Sequence, residues 1–191
     1  MQHHGAPTRL LDFTYSIWVA VYFALERAHG ANDGEGCSKG RLPGIWCFKK
    51  QTMLEEACSV AGGGPRAKKF FEDYTRPGRG TDFRDFLMLT DTVLVAVKNP
   101  YFLNQRQSIQ RGVFMIPSAV TCPFTECLER MKSSLAGARV VELDLSRDER
   151  ERWLNELFHM GISNETLFPG LDGFARTLAV YNPVVMKRVR G

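Results

Sequence analysis

The chain is 191 residues long, with 44% hydrophobic residues, 24% charged residues and a formal net charge of +4. That composition supports a buried core and excludes a disordered tail, a collagen-like repeat and a disulfide-stapled miniprotein. No run nears the roughly 18 apolar residues of a membrane-spanning helix, no secretory leader is recognisable, and the mild basic balance permits an anionic partner without requiring one.

In chain order, RLLDFT at 9–14 reads as a short strand or extended segment. Ser16 then serves as N-cap of the helix IWVAVYFALERAHG, because its hydroxyl can accept from an amide one turn on. That helix is apolar nearly all round, with Ala20, Phe23 and Ala24 on one face, and Gly30 stops it. Residues 30–44 are a polar, glycine-rich loop. GIWCFKK at 44–50 reads as a strand, QTMLEEACSV as a short helix, and GGGPR at 62–66 as a break. The break is not a phosphate loop, since it lacks both a strand-to-helix fingerprint and the Lys-Ser/Thr pair. RPGRGTDF at 76–83 is a further loop.

The second half alternates strands and helices. DTVLVAVKNP at 91–100 is a strand ended by Pro100, residues 104–110 form a polar bend, and 112–118 form another strand. A helix covers about 124–135, and the alternation of 138–146 predicts a strand. Ser146 caps a helix striped by Trp153, Leu154, Leu157 and Phe158 and stopped by Gly161. Ser163 or Asn164 opens a last helix that carries Pro169 and Gly170 in its early turns, with Leu167, Phe168, Leu171 and Phe174 on one packing face. The expected fold class is α+β, with a mixed, mainly antiparallel sheet and packed helices. Trp18, Tyr22, Phe23, Trp46, Phe48, Phe70, Phe71, Trp153 and Phe158 are all expected in the core.

Cys37, Cys47, Cys58, Cys122 and Cys127 are odd in number and scattered. Cys122 and Cys127 are near each other but lack zinc-site spacing. The five read as reduced thiols of a cytoplasmic chain, with no metal expected.

Two segments concentrate chemistry. In QHHGAPTRLLDFTYS, Gly5 and Pro7 fix a bend and Pro7 holds Ala6 extended. The bend gathers His3, His4, Thr8 and Arg9, with Asp12 on the strand beyond. His3 and His4 are adjacent on an extended chain and do not face one pocket. Either Arg9 and Asp12 pair locally, or the ribbon binds an anion. The second segment places Arg106 and Gln110 four residues apart on one turn, just before Gly112, where a ligand or another backbone can come close. These side chains either satisfy loop carbonyls or line a site. Neither segment contains a nucleophile with its base, a carboxylate pair or a metal helix.

QHHGAPTRLLDFTYSIWVAVYFAL closely resembles the signature of the FRG domain family, and NQRQSIQRGVFMIP and MGISNETLFPGLDGFA resemble its later parts. The resemblance spans nearly the whole chain and implies a single FRG-type domain over 1–191. The family's upstream Phe/Tyr-Arg-Gly motif has no counterpart ahead of the histidines, and DFRD at 82–85 lies on the wrong side without the glycine. The resemblance therefore implies that the chain opens partway through a domain: either it is a fragment, or the missing motif comes from another segment or chain.

A looser likeness, of three elements, is to mono-ADP-ribosyltransferases. It implies an ADP-ribosyltransferase-like fold that uses NAD as substrate, as a transferase or glycohydrolase, in a toxin or defence effector acting on a protein or nucleic-acid acceptor. On that likeness Gln110 and Arg106 are the catalytic pair. The dinucleotide is held by His3, Thr8, Arg9, Asp12, Phe13, Tyr15 and Ser16, with Tyr15 or Phe13 stacking on nicotinamide and Arg9 and His3 facing phosphate. Gln110 stands where such enzymes carry glutamate, and an amide can orient a sugar but cannot act as a base. The alternatives are a non-catalytic module for a nucleotide or acidic partner, gripping through Arg9, Arg106 and Arg111, and a nucleic-acid-binding protein.

Overall fold

The structure is a computed structural model that describes residues 9–27, 42–75, 93–100, 104–119, 121–131, 138–170 and 173. Its chain divides into two compact units: Met1–Tyr15 with Trp46–Phe102 and Gly112–Val141, and Ser16–Ile45 with Leu103–Arg111 and Glu142–Gly191. Helices and antiparallel strands are both present, which makes the fold α+β as expected.

The first unit is built on a three-stranded sheet of β1 (Leu11–Thr14), β3 (Val95–Lys98) and β4 (Gly112–Pro117), in the order β1-β4-β3. Both pairings are antiparallel, with Leu11 opposite Met115 and Val97 opposite the same methionine. Side chains alternate between faces along each strand. One face therefore carries Phe13, Val95, Val97, Val113 and Met115, of which all but Phe13 are buried. The other face carries Ala96 and Ile116, buried, at one end, and Asp12, Phe114 and Lys98 at the other.

β2 (Gly44–Phe48) pairs with β5 (Ala138–Glu142) in a separate two-stranded sheet. Around the sheets lie α2 (Lys50–Val60), α3 (Pro65–Thr75) and α5 (Phe124–Arg130), each in contact with β3. Met53, Ala57, Phe71, Leu128 and Met131 complete this core. α3 follows directly on the Gly62–Gly64 break. Gly62 and Gly63 take positive φ, the left-handed conformation glycine adopts most readily, and Pro65 suits the first helical turn.

In the second unit α1 (Ile17–Arg27) packs against α6 (Arg147–His159), burying Val19, Tyr22 and Leu25 with Leu154, Leu157 and Leu167. α4 (Gln105–Ile109) packs against the short α7 (Asn164–Leu167). Asn164, wholly buried, ties α7 to α1 by donating to Glu26 Oε1 at 2.9 Å.

Several expectations need correction. The strand expected at 138–146 ends at Glu142, and Val140 and Val141 are both exposed. The helix opened by Ser163 stops at Leu167 rather than running unbroken through Pro169, and Gly173 is helical again beyond it. Phe168, at φ −125 and ψ 78, has left the helical region, because a proline disfavours that region for the residue before it. Gly170 then turns the chain at φ +124. Trp18, Trp46, Trp153 and Phe158 are 42%, 39%, 43% and 43% exposed and are not core residues. The expected helix stop at Gly30, the loops at 30–41 and 76–83, and Leu171 and Phe174 lie outside the described residues.

Ser146 forms the expected cap of α6. Its hydroxyl accepts from the Glu149 N–H, and the Glu149 carboxylate accepts from the Ser146 N–H at 2.9 Å. The side-chain hydrogen bond from Ser146, then its backbone one, hold the Glu149 carboxyl below the ordinary glutamate range. A depressed carboxyl contributes stability above its unfolded pKa, about 4.3, and loses it as pH falls through the folded value. Ser146→Ala is expected to lower the denaturation midpoint at pH 7 and to flatten the acid-side loss of stability, both read by chemical denaturation across pH.

Candidate functional site

Antiparallel register places Asp12, Phe114 and Lys98 directly opposite one another in a single row across β1, β4 and β3. Residues opposed in this way share a face, and their side chains interact. Asp12 is exposed, while Phe114 and Lys98 are half-buried. Two strand spacings, about 10 Å, separate the backbones of Asp12 and Lys98, with Phe114 on the strand between them. The next row on this face is Thr14 opposite Gly112. Gly112 carries no side chain on this face. Burial lowers the Lys98 pKa from the usual lysine range, because an ammonium that loses water is less favoured in its charged form.

Beyond the end of β1, Tyr15 is 51% exposed. Its hydroxyl donates to Asn99 Oδ1 at 3.0 Å, and the Lys50 ammonium lies 5.6 Å from its ring centroid. The ring is thus oriented at its phenol end and accompanied by a cation. Phe13 is placed differently: it packs edge-on against Phe48 at 5.5 Å and lies 6.1 Å from Phe124. Trp46 stacks on Phe48 at 6.0 Å and remains 39% exposed. Arg9 donates to the Ser118 carbonyl at 3.1 Å, which joins the segment before β1 to the end of β4.

Arg9, Asp12, Phe13 and Tyr15 fall in the first unit, and Ser16, Arg106 and Gln110 in the second. His3 and Thr8 lie outside the described residues. Ser16 caps α1, its Oγ accepting from the Val19 N–H at 3.5 Å.

Arg106 and Gln110 do converge, on the turn that follows α7. Asn104 caps α4 with a capping box, Gln110 closes it, and Arg111 bends the chain into β4 at φ 49. From this elbow Gln110 Nε2 donates to the Leu167 carbonyl at 2.9 Å, and the Arg106 guanidinium stands 4.3 Å from the Phe168 ring centroid. The amide thus satisfies a carbonyl at the helix end, and the cation lies over an aromatic face.

Sequence reasoning missed Lys98 and Phe114. The signal available was the notable lysine in an otherwise apolar strand, VAVK. A groove of about 400 Å³ in the first unit is lined by Gln51, Glu55, Cys58, Lys68 and Glu72 among others, and holds none of the expected site residues. No metal-binding group of three or more His, Cys, Asp or Glu occurs among the described residues, and no helix among them is long and apolar enough to cross a membrane.

Residues 1–33 match the family model of the FRG domain, in agreement with the resemblance carried by QHHGAPTRLLDFTYS. No curated protein and no solved structure matches the chain.

The turn held by the elbow has one tightly constrained position. A Cβ added at Gly173 would come within 2.8 Å of the Asn164 carbonyl and closer still to that of Phe168. Both obstacles are backbone and cannot swing aside. Gly173→Ala is expected to cost about 1–3 kcal/mol in denaturant unfolding, whereas Gln110→Ala, which removes one hydrogen bond, is expected to cost about 1 kcal/mol.

Proposed function

We propose that this chain, an FRG domain by the match over its first 33 residues, binds a nucleotide at the Asp12 end of the sheet face that carries Phe114 and Lys98 in its first unit. The observation that carries the reading is the row Asp12–Phe114–Lys98 with Gly112 beside it. Its three chemistries follow the order of a nucleotide. A carboxylate accepts from ring or carboxamide N–H groups, an aromatic ring meets the flat base or the sugar, and an under-solvated ammonium meets the phosphate. Tyr15, with Lys50 alongside, offers a second ring on the same unit for the other half of a dinucleotide. NAD is the dinucleotide to test first.

Binding without turnover is the reading favoured here. Gln110 and Arg106, the pair a transferase would use, are engaged with the Leu167–Phe168 turn of the second unit. A glutamine there also supplies no charge to offset an oxocarbenium-like sugar.

Calorimetry of the chain with NAD, ADP-ribose and AMP tests the proposal. Phe114→Leu keeps apolar packing but removes the ring face, and is expected to weaken binding by about 1–3 kcal/mol, or about 5- to 150-fold. Lys98→Met is expected to weaken it and to reduce its salt dependence. No binding of any of the three ligands, or unchanged affinity in Phe114→Leu, would overturn the assignment. Nicotinamide release from NAD that Gln110→Ala abolishes would restore the transferase reading.

A further inference from the structure

Cys122 and Cys127 are reduced thiols in the first unit, and nucleotide binding uses neither. Between them Pro123 acts as the N-cap of α5, and its carbonyl accepts from the Cys127 N–H at 2.9 Å. This turn carries the side chain of Cys127 back over the residue that precedes the cap. The Cys127 thiol donates to the Cys122 carbonyl at 3.5 Å, and the Cys122 thiol to the Pro123 carbonyl at 3.6 Å. The Cys127 sulfur thus lies against the backbone of Cys122 itself.

Their surroundings differ. Cys127 is wholly buried in the core of the unit, whereas Cys122 is partly open to solvent. Burial first, then the neighbouring Cys122 thiol, pushes the Cys127 thiol up to about 12, so it keeps its proton at neutral pH. The exposed Arg130 guanidinium pairs with Glu126 on the same helix. One sulfur is therefore reachable by a small oxidant, and the other waits behind it.

We propose that Cys122 and Cys127 form a disulfide in response to a peroxide, with Cys122 oxidised first and Cys127 resolving it. In the first step the Cys122 sulfur attacks the peroxide. An S–O bond forms and the O–O bond breaks, the sulfur is oxidised to a sulfenic acid, and the peroxide is reduced, releasing water. In the second step the Cys127 sulfur attacks Cys122. The S–S bond forms, the S–O bond breaks, and hydroxide leaves with the Cys127 proton as water. A thiol reductant reverses the sequence.

The full chain provides the test, because Arg111 and Arg130 bound one tryptic peptide, residues 112–130, that contains both cysteines. After hydrogen peroxide treatment, unfolding and alkylation, that peptide is expected to lose both labels and two hydrogen masses, and to regain them after dithiothreitol. Cys122→Ser replaces the partly exposed sulfur at the edge of the core with an oxygen of similar size, and is expected to leave Cys127 fully alkylated after peroxide. The proposal is overturned if both thiols stay alkylatable under peroxide that oxidises free cysteine. It also fails if Cys122 advances to a sulfinic acid beside an alkylatable Cys127, or if Cys122→Ser still loses the Cys127 label to another cysteine.

Discussion

β4 is hydrogen-bonded on both edges, and its register against β1 and β3 is the constraint on which the first unit depends. A slip of one residue on either side would turn every side chain of the slipped strand to the opposite face. On β1 it would turn Asp12 toward the core and Phe13, which packs against that core, away from it. On β3 it would do the same with Lys98 and Val97, leaving a charge buried at a cost far above that of a lost apolar contact. The register is also held at both ends. At one, Ser118 exchanges hydrogen bonds with Leu94 while its carbonyl accepts from Arg9. At the other, Tyr15 reaches across to Asn99. β1 is only four residues long, and these two clamps on its flanks supplement a short ladder.

This distinction explains what could be read from the sequence. Ser146 and Ser163 were legible as caps because a cap is a contact between residues three apart, whatever the rest of the chain does. β4 was legible within one residue for a similar reason, since Gly112 and Pro117 bracket an apolar run. The stripe on α6 was read too widely. Trp153, Leu154, Leu157 and Phe158 span an arc that the partner helix covers only at its centre, so the two leucines are buried and the two aromatics at its flanks are not. The break after α7 was available in Pro169, whose effect falls on the residue before it.

The candidate site was half legible. Asp12 stood out through its place in the N-terminal motif, but Phe114 and Lys98 became candidates only once the register was known. Sequence separation hides that row completely: 12, 98 and 114 are neighbours through strand pairing alone. Conversely, Arg106 and Gln110 attracted attention because two polar side chains share a turn. Their engagement with Leu167 and Phe168, some 57 residues away for the glutamine, is a tertiary fact that a local pattern cannot carry.

The same sheet face thus serves two purposes along its length. Where Ala96 and Ile116 meet it is buried and helps hold the strands together. Two residues further along, the row changes to acid, ring and base, and the next position on β4 is a glycine. Stability and recognition are separated by a single strand period, so the packing that fixes the register also fixes the spacing of the charges. A surface pair of lysine and aspartate on flexible loops would collapse onto each other or drift in solvent. Here the backbone ladder keeps their Cα positions two strands apart with Phe114 between, so under the proposed reading less of a ligand's binding energy is spent on arranging the site.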